Sequence, residues 1–310
     1  MVVYTITLNP AVDKTVVIPN FASGTVNRIQ NMRIDAGGKG INVSKCLQSM
    51  SVDSVVCTIL GGSSGKKILS LVTEQGLNVL SVSVAGETRT NLKIVDTQQH
   101  ENTDINEPGP LVPDEVIYRL QQIIAERITT GDVVIMSGSL PKGVQAELYR
   151  EWTDYFNGLG ARVILDADGE QMRQGVKAKP YLVKPNDLEL SRLMGRELTG
   201  EDELVAAGKQ LLDEGVQEVL ISRGDKGAIY LAREGAYKAD GVKVPVLSTV
   251  GAGDSMVAAM AYGYEKKMSA PDRLRLAIAI GSASVTCSGT QAPAAELVWE
   301  LFDQVYIQEV

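Results

Sequence analysis

The sequence predicts an α/β fold in which a mostly parallel β-sheet is covered by helices on both faces. Short β-rich runs alternate with amphipathic helical patterns, which is the order that parallel strands joined by crossover helices produce. The chain has 310 residues, of which 44% are apolar and 22% charged, so it can bury a large core. No internal repeat or low-complexity linker interrupts the pattern. We therefore expect one domain over residues 1–310.

The candidate strands are short runs rich in β-branched and aliphatic residues. They are "MVVYTITLNP" (1–10), "SVVCTIL" (54–60), "DVVIMSG" (132–138), "RVILDAD" (162–168), "YLVKP" (181–185) and "EVLISRG" (218–224). The candidate helices are longer stretches whose apolar residues recur at helical spacing. They are "PDEVIYRLQQIIAER" (113–127), "GEDELVAAGKQLLDEG" (200–215), "SMVAAMAYGYEKK" (255–267) and "APDRLRLAIAIGSASVT" (270–286). The last two predict packed helices at the end of the domain.

Two segments depart from this alternation and predict a small projecting β-sheet. Residues 12–35 and 86–110 carry alternating polar and β-branched residues, with turns at Pro and Gly. Such a sheet could close over a ligand as a lid or pair with a second copy of the chain, because an exposed sheet with apolar residues needs covering. A plain surface hairpin is the alternative. We expect the lid and a homodimer formed through it.

The composition excludes several classes of function. The 30 basic and 38 acidic side chains give a net charge of −8 with no dense Lys/Arg run, which argues against nucleic acid or an anionic membrane as partner. No window approaches 18 uninterrupted apolar residues. Cys46, Cys57 and Cys287 are scattered, and the N-terminus has no secretion pattern, so we expect reduced thiols and a cytoplasmic location. A single histidine, His100, excludes a zinc site or a Ser/His/Asp triad.

The first glycine-rich loop, "DAGGKGINVSKCL" (35–47), follows an extended run and opens a predicted helix. Its glycines could let backbone amides approach an anion at the helix N-terminus. The loop lacks the GxGxxG spacing of a dinucleotide-binding turn, which argues against a Rossmann oxidoreductase. A second run, "LGGSSGKKIL" (60–69), fails the P-loop pattern because its spacing is short and Lys67 stands where Ser or Thr is required.

Two further motifs combine carboxylates with helix starts. "LVKPNDLELSRL" (182–193) places Asn186 and Glu189 three apart after a strand, where they could organise a hydrated Mg²⁺ ion or serve as a helix-start pair. "LSTVGAGDSMVAAM" (247–260) places Gly251, Ala252 and Gly253 before Asp254 at the start of a helical pattern. Taken alone, that carboxylate could be an acidic N-cap.

The order of these motifs resembles the ribokinase-like carbohydrate kinases, a family also called after the minor phosphofructokinase. The resemblance rests on "AGGKGINVSKCL", "KPNDLEL", "ISRGDKGAIY" and "STVGAGDSM", and it extends from "TLNPAVD" (7–13) to "GSASVTCSGT" (281–290). It implies a three-layer α/β/α fold and phosphoryl transfer from ATP. It also implies that the amides of the GAGD segment form an anion hole and that Asp254 is the catalytic base. Positioning and charge stabilisation of this kind are what phosphoryl transfer requires.

The resemblance implies roles for further residues. Those expected at the nucleotide are Lys184, Asn186, Ser222, Gly224, Gly227, Gly251 and Gly253, with Ala252 in the anion-hole segment. Asn186 and Glu189 are associated with Mg²⁺, through water. Backbone oxygens of a second set match a monovalent-cation site, with K⁺ as the expected ion: Ser248, Val250, Ser284 and Gly289.

The acceptor implied is a ketohexose phosphate. "TLNPAVD", "GGKGINVSK", "GETRTNLKI" and "SGSLPKG" resemble the branch of the family that acts on sugars already carrying a phosphate. The expected hydroxyl-binding residues are Asp13, Gly37, Gly38, Asn42 and Ser139. The candidate phosphate-binding cations are Arg28, Lys39 and Arg89, because an anion in a closed site needs charge-assisted hydrogen bonds. Arg28 could serve its own site or the neighbouring subunit's.

Fructose 1-phosphate is the first candidate acceptor, giving fructose 1,6-bisphosphate. Tagatose 6-phosphate and fructose 6-phosphate are the alternatives, since the position of a phosphate is set by pocket geometry rather than by residue types. A relative that binds a sugar phosphate without catalysis is a further alternative. The intact Asp254, Asn186 and Glu189 argue against it.

Overall fold

A computed structural model describes all residues, 1–310, and contains fourteen strands and ten helices. The strands are β1 Val3–Thr7, β2 Ala11–Val17, β3 Asn31–Gly37, β4 Ser54–Gly61, β5 Asn78–Val84, β6 Arg89–Asp96, β7 Glu101–Asn106, β8 Val133–Ser137, β9 Arg162–Asp166, β10 Leu182–Val183, β11 Glu218–Ser222, β12 Ala228–Ala232, β13 Gly235–Ala239 and β14 Gln308–Glu309. The helices are α1 Lys39–Ser49, α2 Gly62–Glu74, α3 Asp114–Ala125, α4 Leu148–Gly158, α5 Gly169–Gly175, α6 Asp187–Met194, α7 Glu201–Asp213, α8 Ala252–Glu265, α9 Ala270–Ser284 and α10 Ala295–Phe302.

Ten strands form the main sheet, in the order β14-β13-β12-β11-β10-β9-β8-β1-β4-β5. The seven strands from β11 to β5 are parallel, and β12, β13 and β14 continue the sheet antiparallel at one edge. The mostly parallel sheet predicted from the sequence is confirmed. The parallel strands read as near-continuous apolar runs because both of their faces are buried.

Helices cover both faces of this sheet and make the predicted three layers. On one face α1, α8 and α9 bury Leu47, Val257 and Ile280 in one apolar cluster that includes Val3 of β1, and α10 adds Val298. On the other face α3, α4 and α7 bury Leu120 and Trp152. The last two predicted helices are the Ala-rich α8 and α9, which are apolar on most sides because they lie inside the domain. None of the ten helices has the length and apolar character needed to cross a membrane.

A second, four-stranded sheet has the order β3-β2-β6-β7. Its strands come from the two segments predicted to be extended, with a loop over residues 18–30. The β2–β6 pairing is parallel and the other two are antiparallel. Side chains alternate along each strand, so one face carries Asp13 and Asn91 while the other carries apolar residues such as Met32 and Ile105, which are about half exposed (48% and 52%).

Candidate active site

A cleft of about 740 Å³ lies between the carboxyl ends of the parallel strands and the polar face of the small sheet. Thr7, Ser137, Asp166 and Ser222 end β1, β8, β9 and β11, and all four line it. This edge is where open α/β sheets bind ligands, because the loops that follow the strands converge there. The cleft is also lined by most of the residues singled out in the sequence: Asp13, Gly38, Lys39, Asn42, Arg89, Ser139, Lys184, Asn186, Glu189, Ser222, Gly224, Val250, Gly251, Gly253 and Asp254.

The start of α8 presents free backbone donors to the cleft. Gly251 is the N-cap residue, and its φ of +84° is a left-handed conformation that favours glycine. The backbone N–H groups of Gly253 and Asp254 make no hydrogen bond within the chain. The positive end of the helix dipole therefore adds to two unpaired donors, an arrangement that binds anions. The acidic N-cap interpretation of Asp254 is wrong, because Asp254 is the third helical residue.

Asp254 is a buried carboxylate that faces this site, with 6% of its surface exposed. The Asn42 Nδ2 group of α1 donates to its Oδ2 at 2.9 Å. Burial and the nearby Asp166 carboxylate raise the pKa of Asp254 to about 6, against the opposing effect of Lys39. A carboxylate with this pKa is ionised at neutral pH yet holds a proton more readily than an exposed one, as a general base requires.

Asp166 is a buried charge in the cleft that the sequence reasoning missed. Its carboxylate accepts from Lys39 Nζ at 3.3 Å and lies 3.2 Å from Lys184 Nζ. The signal that could have found it is the end of "RVILDAD", since a carboxylate at the carboxyl end of a parallel strand points to the ligand edge of the sheet.

The small sheet supplies the opposite wall. Asn91 Nδ2 donates to Asp13 Oδ1 at 3.0 Å, and burial raises the pKa of Asp13. Gly37 lies directly behind this carboxylate, where a Cβ atom would be 2.0 Å from Asp13 Oδ2, so only glycine leaves room for it. Asn91 and Asn9 are site residues that the sequence reasoning missed.

Arg89 is held at the junction of the small sheet and the cleft. Its guanidinium donates to the backbone carbonyl of Asn9 at 2.9 and 3.2 Å and to that of Glu107 at 3.3 Å, rather than to a carboxylate. Its charge is therefore free to meet an anion in the cleft.

Asn186 and Glu189 form a reciprocal capping box at the start of α6. The Glu189 N–H donates to Asn186 Oδ1 and the Asn186 N–H donates to Glu189 Oε2, both at 2.8 Å. Both side chains also line the cleft. The chain contains no cluster of three Asp, Glu, His or Cys residues able to hold a metal ion. A Mg²⁺ ion at this position would therefore take most of its ligands from water and phosphate oxygens, which suits its preference for retained waters.

Six of the expected site residues lie outside the main cleft, besides Gly37 behind Asp13. Ala252 and Gly227 line a neighbouring pocket of about 420 Å³ that is mainly apolar and shares Ser222, Gly224 and Gly253 with the cleft. Arg28 is exposed in the loop between β2 and β3.

The remaining three belong to the expected monovalent-cation site: Ser248 precedes α8, Ser284 is the last residue of α9, and Gly289 lies in the segment after α9. The N–H groups of Leu247 and Ser248 donate to the carbonyl of Val285 at 2.8 and 3.2 Å, which brings the segment before α8 beside the end of α9. Gly289 lies against Arg33 of the small sheet, where a Cβ atom would be 1.9 Å from Arg33 Nη2. The segment before α8 and the end of α9 are therefore adjacent, while Gly289 contacts the small sheet.

The chain is similar to known carbohydrate kinases over nearly its whole length. The family model described as "pfkB family carbohydrate kinase" matches residues 2–297. The chain is 36% identical to a 1-phosphofructokinase of Haemophilus influenzae, over 98% of this chain and 97% of that protein. It is 34% identical to a 1-phosphofructokinase of Bacillus subtilis, over 98% and 99%. The crystal structure of phosphofructokinase-2 from Escherichia coli in complex with potassium superposes with a TM-score of 0.93 at 29% identity, covering 97% of this chain and 98% of that one.

Proposed function

This chain belongs to the pfkB family of carbohydrate kinases, and on that premise we propose that it transfers the γ-phosphoryl group of ATP to fructose 1-phosphate. The products are ADP and fructose 1,6-bisphosphate. The observation that carries this proposal is the pairing of buried Asp254 with the free N–H groups of Gly253 and Asp254 at one point of the cleft. The similarity to 1-phosphofructokinases supports the choice of acceptor.

In the proposed mechanism Asp254 accepts the proton of the sugar's 6-hydroxyl group. The sugar oxygen forms a bond to the γ-phosphorus while the bond from that phosphorus to the β–γ bridging oxygen breaks, and ADP leaves with the electron pair. The backbone N–H groups at the start of α8 stabilise the charge on the transferring phosphoryl oxygens. Fixed donors of this kind lower the barrier because they need no reorganisation during the reaction.

The nucleotide is proposed to span the two adjoining pockets. The apolar pocket, with Val244, Met256 and Ile278 in its walls, suits the adenine ring. Its shared residues Ser222 and Gly224 lead into the main cleft, where Lys184 can meet the phosphates. With the adenine ring in the apolar pocket and the phosphates in the main cleft, the γ-phosphate would lie at the start of α8.

Two metal ions are part of the proposal. Asn186 and Glu189 would hold Mg²⁺ through water beside the nucleotide, where the ion neutralises phosphate charge. Backbone oxygens of the segment before α8, at Ser248 and Val250, and of the end of α9 and the segment after it, at Ser284 and Gly289, would hold K⁺, an ion present in the E. coli neighbour. Titrating KCl against an assay buffered with tetramethylammonium measures that requirement, and activity independent of K⁺ would exclude it.

The acceptor is proposed to lie between the small sheet and α1. Hydroxyl groups of the sugar would bond to Asp13, Asn42 and Ser139, with the glycines at 37 and 38 leaving space for it. Arg89 and Lys39 would bind its phosphate.

The direct test is ADP release with Mg²⁺ and ATP over an acceptor panel. The panel contains fructose 1-phosphate, fructose 6-phosphate, tagatose 6-phosphate and free fructose. We expect the highest kcat/KM with fructose 1-phosphate. A preference for either 6-phosphate would keep the mechanism and replace the acceptor, whereas no ADP with any acceptor would indicate a sugar-phosphate-binding protein without catalysis.

The pH dependence of kcat should report Asp254. Only the ionised carboxylate accepts a proton, so its raised pKa predicts that kcat falls about tenfold per pH unit below pH about 6. The profile is measured with both substrates saturating, so that titration of the free substrates does not contribute. An acid limb near pH about 4, where an exposed aspartate titrates, would contradict the assignment.

We propose that the apolar face of the small sheet forms a homodimer in which Arg28 reaches the neighbouring subunit's site. Met32 and Ile105 on that face, with Val26 and Ile29 in the adjoining loop, leave more exposed apolar surface than an isolated sheet favours. Mixing Asp254→Asn subunits with Arg28→Ala subunits tests both ideas. Mixed dimers regain activity if Arg28 acts across the interface, because one site then has both residues; no regain at a proven dimer contradicts it.

We also propose a cytoplasmic location. Cys46, Cys57 and Cys287 are all unpaired, as is usual in reducing compartments. Cell fractionation tests this, and recovery of the protein outside the cytoplasmic fraction would contradict it.

A further inference from the structure

Asp166 is a fully buried carboxylate whose only side-chain partners are two lysines. The Lys39 Nζ atom lies 3.3 Å from both of its oxygens, and the Lys184 Nζ atom lies 3.2 Å from Oδ1. Burial alone would raise the pKa of Asp166, but the Lys184 and Lys39 ammonium groups hold it below its ordinary value. Burying an ionised carboxylate is costly unless it is paired, so the two lysines account for its charge.

One of the two lysines lies beside the proposed acceptor site, and the other lies beside the proposed position of the transferring phosphoryl group. Lys39 is the first residue of α1, next to the proposed acceptor site at Gly38. Lys184 follows β10, and its Nζ lies 3.2 Å from where a Cβ of Gly253 would stand, beside the free N–H groups of α8. Asp166 therefore forms ion pairs with both Lys39, beside the proposed acceptor site, and Lys184, beside the proposed phosphoryl site.

The net charge of the buried side chains in the cleft indicates what the pairing of Asp166 with both lysines prevents. Lys39, Lys184, Asp166 and Asp254 together have no net charge when both carboxylates are ionised. Both lysines already act on Asp254, and Glu189 also acts on Lys39. If Asp166 were neutral, the nearby Asp254 would attract both ammonium groups. Pairing there would weaken the base and turn the cations away from the incoming phosphates.

We propose that Asp166 is a positioning residue, which holds the Lys39 and Lys184 ammonium groups toward the substrate phosphates and away from Asp254. This rests on the kinase activity proposed above. Asp166 itself touches no substrate in this proposal and acts through the two lysines.

The test compares the full-length Asp166→Asn and Asp166→Glu enzymes with the wild type, each in the oligomeric state in which it is purified. The quantities measured are kcat, its pH profile and the Kd of ATP. For Asp166→Asn we expect kcat to fall about 10²-fold, the lower end of the loss for one preorganised electrostatic group in an active site, because Asp166 acts through the two lysines. The acid limb of the kcat profile should move to lower pH, because a negative charge beside Asp254 is removed. The Kd of ATP, by calorimetry, should rise severalfold. Asp166→Glu keeps the charge, so its acid limb should stay in place and its kcat should fall less.

A matched control is Glu218→Gln. Glu218 begins β11, whereas the cleft lies at the other end of that strand, where Ser222 lines it. Glu218 is also buried and pairs with Arg273 at 3.0 Å, far from the cleft. We expect a lower Tm for this variant but an unchanged kcat and acid limb. A folded Asp166→Asn enzyme with kcat within threefold of wild type and an unmoved acid limb would overturn the proposal.

Two further outcomes remain decisive. If Asp166→Asn does not fold, Asp166→Glu carries the test, since lengthening the side chain must displace both ammonium groups; a wild-type kcat then overturns the proposal. If the wild-type enzyme turns over no acceptor, the proposed function fails instead. The ATP Kd then decides this inference, and an unchanged value in Asp166→Asn overturns it.

Discussion

Replacing Asp254 with asparagine is expected to lower kcat by about 10³-fold, near the middle of the range for general acid–base groups. The amide has nearly the same shape and can still accept the hydrogen bond from Asn42, so the start of α8 should keep its conformation. What is lost is the ability to take the proton of the sugar hydroxyl. The Kd of ATP should stay within about threefold, because the free N–H groups of α8 remain. Steady-state kinetics and calorimetry measure the two quantities.

Asp272→Asn is the matched control for this substitution. Asp272 is also the third residue of a helix, α9, but it is partly exposed and bonds to Ser269 and Arg275 rather than facing the cleft. We expect an unchanged kcat and a small loss of Tm. If Asp254→Asn retained more than about a tenth of the wild-type kcat, Asp254 would not be the base.

The sequence could predict α8 because its signal is local, whereas the catalytic role of Asp254 came from the order of the motifs along the chain and stays a prediction. Glycines that leave backbone donors free, followed by a carboxylate and a run of small apolar residues, describe one turn of one helix. The same locality explains Asn186 and Glu189, where the helix-start interpretation is confirmed by the capping box and the Mg²⁺ association stays a prediction. A single pair of residues can satisfy the helix terminus and still face the cleft.

Asp166 shows where local reasoning ends. Its strand was predicted, yet its partners Lys39 and Lys184 are 127 and 18 positions away along the chain. Only the strand order β10-β9-β8-β1 brings them to one edge of the sheet. Asn91 was missed for the same reason, because its bond to Asp13 depends on the register between β2 and β6. The sequence pattern of a strand predicts which face of the sheet a side chain lies on. The pairing of that strand with its neighbours determines which side chains it contacts.

Replacing Arg89 with methionine is expected to raise the KM of the sugar phosphate about 100-fold while kcat changes less than about fivefold. Hydrogen bonds to a charged group contribute about 1.5–3 kcal/mol each, and about 2.7 kcal/mol corresponds to that factor. The phosphate already on the sugar does not react, so its contact stabilises the bound substrate and the transition state equally and is lost from KM alone. The KM of ATP should not change.

Lys93→Met separates this effect from a general loss of charge on the small sheet. Lys93 lies on the same strand and the same face as Arg89, four residues further along, but it pairs with Asp104 outside the main cleft. We expect its KM values to stay within about twofold of wild type. The Arg89 assignment would be wrong if Arg89→Met raised the KM of ATP instead, or if both variants weakened the acceptor equally. The second result would mean that the sheet attracts the anion through its overall field, which raising the ionic strength would weaken in the wild type as well.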